Sequence, residues 1–167
     1  SLLHDVGRVL LIDGKSKEVL FSIETGVAPT AIEVSLDSRY LFVLHRDGQV
    51  VSIDLRLHVP QVVASVRVGY EARSIASGGS RSKPWLIVGA QAPSQIVQLD
   101  PVSLRPLRTT ELPLEGQRRS NADGRVEQIL NLGRRRQIAL MTTGIPGDVF
   151  VLSQPQSSRQ DLLGSVV

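Results

Sequence analysis

Four segments of this chain end in the same way: two apolar residues, a variable one, another apolar one, then a polar residue. They are Val9-Leu10-Leu11-Ile12-Asp13, Val50-Val51-Ser52-Ile53-Asp54, Ile96-Val97-Gln98-Leu99-Asp100 and Val149-Phe150-Val151-Leu152-Ser153. Their polar ends stand 41, 46 and 53 residues apart. Short strands recurring every ~40–50 residues are the mark of β-propeller blades, units of about four strands. Such a unit cannot bury both of its faces alone, so its stability depends on its neighbours.

Local signals agree. Tyr40-Leu41-Phe42-Val43-Leu44 and Leu86-Ile87-Val88 are further short runs rich in aromatic or β-branched residues, bounded by turn formers. No window sustains an apolar stripe of helical period, so helix content is expected to be low. Turns follow the first and third repeats at Asp13-Gly14-Lys15-Ser16 and Asp100-Pro101-Val102-Ser103. A polar turn at Ser35–Arg39 feeds a buried strand, and Arg46-Asp47-Gly48 closes a hairpin. Gly78-Gly79-Ser80-Arg81-Ser82-Lys83-Pro84 is expected as a flexible loop before Trp85. Leu132–Arg135 is expected as a turn between strands Glu127–Asn131 and Gln137–Met141.

The count sets a problem. Three to four four-stranded units fit in 167 residues, whereas propellers close with ~4–8 blades. An open arc leaves blade faces wet and strand edges unpaired. Residues 1–167 are therefore expected to be a partial propeller, completed by further blades or by a homo-oligomer partner. A single β-sandwich is the competing all-β architecture. The first residue is Ser rather than Met, as in a processed chain or an excerpt.

Composition removes several chemistries. With no cysteine, disulfides, thiolate nucleophiles, Cys-ligated metals and c-type haem attachment are excluded. A net charge of +3 does not by itself argue for nucleic acid. The Arg118-Arg119 and Arg134-Arg135-Arg136 clusters lack interleaved aromatics and are expected as solvated turns. No apolar run approaches the ~20 residues of a membrane span. Hydrolase and phosphate-loop motifs are missing, and Asp13-Gly14-Lys15-Ser16 lacks the upstream glycine of the latter. Asp47 and Asp54 are expected to hold turns rather than to work as a catalytic pair.

An ordered set of motifs carries a family resemblance. It runs from Gly7-Arg8-Val9-Leu10-Leu11-Ile12-Asp13-Gly14 through Thr25-Gly26, Ser38-Arg39-Tyr40-Leu41-Phe42-Val43 and His45-Arg46-Asp47-Gly48. It continues through Gly69-Tyr70-Glu71-Ala72-Arg73-Ser74-Ile75 to Leu104-Arg105-Pro106. Over roughly residues 4–153 the chain resembles the haem d1 domain of cytochrome cd1 nitrite reductase and related haem d1 proteins. The resemblance implies part of an eight-bladed, periplasmic propeller that holds non-covalent haem d1, of a lineage that reduces nitrite in denitrification.

The same resemblance implies site residues. Arg46 and Arg73 match two arginines that neutralise haem carboxylates, a role suited to the guanidinium fork. His4 stands at a pocket-lining position as a third cofactor-binding candidate. Where the axial histidine is expected, the chain has Thr30. Glu33 replaces another arginine and would repel a cofactor carboxylate, and Asn121 stands where a proton-donating histidine belongs. Asn is no general acid near neutral pH. His45 alternates with Arg46 and is expected to point elsewhere, while His58 is expected in a surface loop. No catalytic residue or metal site is assigned. Two functions follow: a divergent or partial haem d1 propeller that binds or hands on the cofactor without reducing nitrite by itself, or a haem-free scaffold that binds another protein.

Overall fold

The computed structural model describes residues 2–3, 7–80, 83–90, 95–111, 125–131, 137–143 and 149–153. Among them every regular element is a strand. The first sheet holds β1 (Leu2–Leu3), β2 (Arg8–Ile12) and β3 (Val19–Glu24). The second holds β4 (Pro29–Val34), β5 (Tyr40–His45), β6 (Gln49–Asp54) and β7 (Gln61–Arg67). The third holds β8 (Ser74–Ser80), β9 (Lys83–Ala90), β10 (Gln95–Leu99) and β11 (Pro106–Glu111). The fourth holds β12 (Arg125–Asn131), β13 (Gln137–Thr143) and β14 (Val149–Ser153). Strands adjacent in sequence pair antiparallel within each sheet, so each is a simple meander. The four repeated segments are β2, β6, β10 and β14, which fixes the repeat as the blade.

The turns repeat down to single bonds. Asp13 Oδ1 accepts the amides of Lys15 at 2.8 Å and Ser16 at 2.7 Å, and the Ser16 hydroxyl at 3.2 Å. Asp100 Oδ1 accepts those of Val102 at 3.0 Å and Ser103 at 2.7 Å, and the Ser103 hydroxyl at 2.9 Å. Both turns then place a residue in the left-handed region, Lys17 at φ 63° and Leu104 at φ 56°. The Ser16 and Ser103 amides, before all other causes, hold the two carboxyls below the usual aspartate range.

Strand β5 is buried along its whole length, which is why it reads as an apolar run rather than an alternation. Its Tyr40, Phe42 and Leu44 pack with Ile75, Leu86, Val88 and Leu99 of the third sheet. Its Leu41 and Val43, with Val51 and Ile53, pack against Val9 and Ile23 of the first. Burying each such large side chain contributes ~1.5–3 kcal/mol. The last strands of the first three sheets, β3, β7 and β11, are mostly exposed.

One expectation is overturned. The stretch Gly78-Gly79-Ser80 is not loop but the end of β8, with Lys83-Pro84-Trp85 returning in β9. Gly78 stands opposite Trp85 in the ladder. A Cβ on Gly78 would fall 2.1 Å from the indole Cζ2. The glycine is there to seat a buried ring, and a missing side chain cannot be told from turn chemistry in sequence alone. Strands β12 and β13 match the expected pair, while Leu132–Arg135 and the arginine clusters lie outside the described residues.

Polar bonds stitch sheet to sheet. Glu33 Oε1 accepts the Ser77 amide at 2.9 Å and its hydroxyl at 2.7 Å. The same hydroxyl lies 2.8 Å from the Val34 carbonyl. The Ile129 amide donates to Ser74 Oγ at 2.7 Å, tying the fourth sheet to the third.

Candidate functional site

Three connections converge at one end of the sheets. Thr25–Ala28 leads from β3 to β4, Arg46-Asp47-Gly48 turns β5 into β6, and Val68–Arg73 leads from β7 to β8. The turn is bonded to both loops: the Arg46 amide donates to the Ala28 carbonyl at 3.0 Å, and the Val68 amide to the Gly48 carbonyl at 2.9 Å. Gly48 has φ 81°, and a Cβ there would lie 1.5 Å from the Gly69 carbonyl oxygen. Only glycine admits this approach.

Between these connections lies an open depression of about 530 Å³, lined by residues 26–28, by Arg46, Asp47 and Gln49, and by Tyr70 and Glu71. Arg46 is exposed there and makes no ion pair among the described residues. Asp47 is paired instead with Arg67 and accepts the Gln49 amide at 3.1 Å. Tyr70 is 63% exposed. The depression thus offers the Arg46 guanidinium beside an aromatic side chain and an amide, with the Glu71 carboxylate also in its lining, so that an anionic group on an apolar ring system would pair on the Arg46 side.

The other sequence candidates scatter. Arg73 is half-buried just before β8 and is not among the lining residues. His4 and Asn121 lie outside the described residues. The Thr30 hydroxyl sits 3.2 Å from the Leu44 carbonyl and 3.3 Å from that of Ala72, linking β5 to the Val68–Arg73 connection. Glu33 also bonds the next sheet, so it braces the fold rather than facing a ligand in the depression. His58 is exposed in the β6–β7 connection at the far end. Asp54 accepts the Arg56 amide at 2.9 Å, also at the far end, so it and Asp47 form no catalytic pair.

His45 is fully buried. Its Nδ1 lies 3.2 Å from the Gln49 carbonyl and its Nε2 lies 3.3 Å from Thr25 Oγ1. Burial lowers its pKa, opposed by the Gln49 hydrogen bond and the Asp47 charge. No cluster of His, Asp and Glu suited to a metal occurs among the described residues. The parts of this site that sequence reasoning missed are Gln49, Tyr70 and Glu71. The available signal was their place beside loop glycines Gly48 and Gly69.

The cytochrome D1 heme domain family matches residues 2–159. The chain belongs to that family. The chain is 34% identical over 109 residues to a nitrite reductase of Stutzerimonas stutzeri, covering 64% of this chain and 19% of the relative. The chain thus spans about a fifth of that relative's length. Among solved structures it is similar to NirN, a dihydro-heme d1 dehydrogenase in complex with DHE, with TM-score 0.71 and 22% identity over 91% of this chain and 31% of NirN. It is also similar to the Swd1 β-propeller domain of Myceliophteria thermophila, with TM-score 0.68 and 12% identity over 90% of this chain and 48% of that one. At such identities these likenesses establish the fold, a β-propeller, rather than the activity.

Proposed function

We propose that this member of the family binds or hands on haem d1 through the depression at Arg46, and does not reduce nitrite by itself. The observation that carries the reading is Arg46, exposed and without an ion pair among the described residues, beside Tyr70 and Gln49. These residues fit the edge of a carboxylate-bearing macrocycle: Arg46 would pair a carboxylate and Tyr70 would cover part of a ring face. The iron is a different matter. Among the described residues no imidazole faces the depression, because His45 is enclosed with both nitrogens engaged and His58 lies at the far end. When bound, the haem would supply the redox centre, while these side chains orient it. Arg73 and His4 remain proposed cofactor contacts beside Arg46.

The partial-ring reading is supported by one face. Val51 and Ile53 of β6 are 2% and 0% exposed beneath the first sheet, whereas Ile12, at the repeat position of Ile53, is 43% exposed. We read residues 1–167 as blades whose remaining neighbours, or a second copy, cover that face. A periplasmic setting follows from the family alone.

The test is a titration of the purified chain with haem d1, followed by visible spectroscopy and light scattering. Saturable binding, weakened roughly 10–100-fold by Arg46→Ala with the fold intact, is expected from the ~1.5–3 kcal/mol of a charged hydrogen bond. No binding by a closed, well-folded assembly overturns the reading in favour of a haem-free interaction scaffold.

A further inference from the structure

We propose that His45 is a positioning residue for the Arg46 face: its imidazole ties the β5–β6 turn to the Thr25–Ala28 loop and so sets where the Arg46 guanidinium stands. The inference rests on the depression being the ligand face. Strand β5 is otherwise apolar and wholly buried, Tyr40-Leu41-Phe42-Val43-Leu44, so a histidine at its end is costly unless bonded. Here both nitrogens are used. A carbonyl only accepts, so Nδ1 carries the proton and donates it to Gln49 at 3.2 Å. Nε2 then meets the Thr25 hydroxyl at 3.3 Å.

Thr25 is itself anchored. Its amide donates to the Gly7 carbonyl at 2.9 Å, and its hydroxyl, whose one proton is shared between that carbonyl and His45 Nε2, lies 3.2 Å from the same oxygen. The imidazole therefore joins the second sheet to a point fixed on the first. It also packs directly under the loop: a Cβ on Gly26 would lie 3.3 Å from Nε2 and 3.5 Å from Gln49 Oε1. A second rung runs from the Arg46 amide to the Ala28 carbonyl at 3.0 Å. Two of the three walls of the depression are thus held together by one buried ring, whose neighbour in sequence is the exposed Arg46. An apolar side chain of the same volume would fill the space and make neither bond.

The experiment compares His45→Gln, His45→Asn, His45→Leu and Thr25→Val in the full chain. The Gln amide stands near Nε2 and keeps the bond to Thr25, whereas the Asn amide stands near Nδ1 and loses it. Amide hydrogen exchange at Arg46 is followed against Leu55, whose amide donates to the Arg39 carbonyl at the far end at 2.8 Å. Losing the Thr25 bond of ~1 kcal/mol predicts roughly fivefold faster exchange at Arg46 in the Asn and Val variants, and at least that in the Leu variant, which makes neither bond, with Leu55 unchanged. His45→Gln, which keeps the Thr25 bond and gives up only the one to Gln49 within the hairpin, stays closer to wild type in both exchange and haem d1 titration than the other three, which weaken the titration by a factor similar to their change in exchange. Equal exchange at Arg46 in all four variants overturns the proposal, and so does acceleration of Arg46 and Leu55 together. Failure of the wild-type chain to bind haem d1 overturns the functional reading alone, because the exchange comparison still decides whether His45 positions the turn.

Discussion

Replacing Gly78 by Ala tests whether its missing side chain seats Trp85. A Cβ there would fall 2.1, 2.3 and 2.7 Å from Cζ2, Cη2 and Cε2, all atoms of the indole's six-membered ring. The ring is buried between paired strands and cannot retreat freely. Overpacking a filled site costs ~1–3 kcal/mol, and three such contacts put Gly78→Ala at the upper end, about 3 kcal/mol. Trp85→Phe removes the atoms that clash. It also removes an indole N–H that is buried without a hydrogen-bond partner among the described residues, a relief of ~1–3 kcal/mol that offsets much of the lost ring. In the Phe background Gly78→Ala should cost only about 1 kcal/mol, a coupling of about 2 kcal/mol between residues in contact. Urea unfolding followed by far-UV circular dichroism measures all four variants, since Trp85 is the sole tryptophan and its fluorescence is lost in half of them. Equal Gly78→Ala costs in both backgrounds would refute the reasoning.

Further outcomes follow from the same geometry. Thr30→Val removes the hydroxyl that bridges the Leu44 and Ala72 carbonyls and should lower stability by ~1 kcal/mol, as urea denaturation would show. Gly48→Ala, at φ 81° and against the Gly69 carbonyl, should cost ~2 kcal/mol or more and open the depression, seen as faster Val68 amide exchange. His45 is buried with a lowered pKa, so the unfolded chain takes up its proton first. Stability should be full above the unfolded value of ~6.5 and decline as pH falls towards the folded value, and His45→Gln should remove that slope in melts across pH 5–7. The aspartates Asp13, Asp37, Asp54 and Asp100, all held low chiefly by hydrogen bonds, add a separate loss below ~3.9 that His45→Gln leaves in place.

Much of the fold was legible because its determinants are local. The Asp-x-x-Ser turns at Asp13 and Asp100 state their own hydrogen bonds in four residues, and the repeated strand ends mark the C-terminal side of β2, β6, β10 and β14. Gly78 was misread because glycine has two uses, freedom of φ and absence of bulk, and which one applies depends on the residue opposite. His45 was placed correctly as pointing away from its neighbour Arg46, but its partners Thr25 and Gln49 were invisible. Thr25 lies 20 residues away, in another sheet.

Sequence by itself determined the blade, its period and its turns, together with the family to which the chain belongs, since those rest on contacts within a few tens of residues. Tertiary structure alone decided which polar groups stay exposed at the depression and which brace the sheets. Thr30 and Glu33 stand at positions that the family resemblance associates with the cofactor, yet the Thr30 hydroxyl is engaged with backbone of β5 and the Val68–Arg73 connection, and the Glu33 carboxylate with the next sheet. A hydrogen-bonding side chain carries no mark in sequence of the partner it will find. That choice is made only when neighbouring sheets pack and burial compels each polar atom to pair.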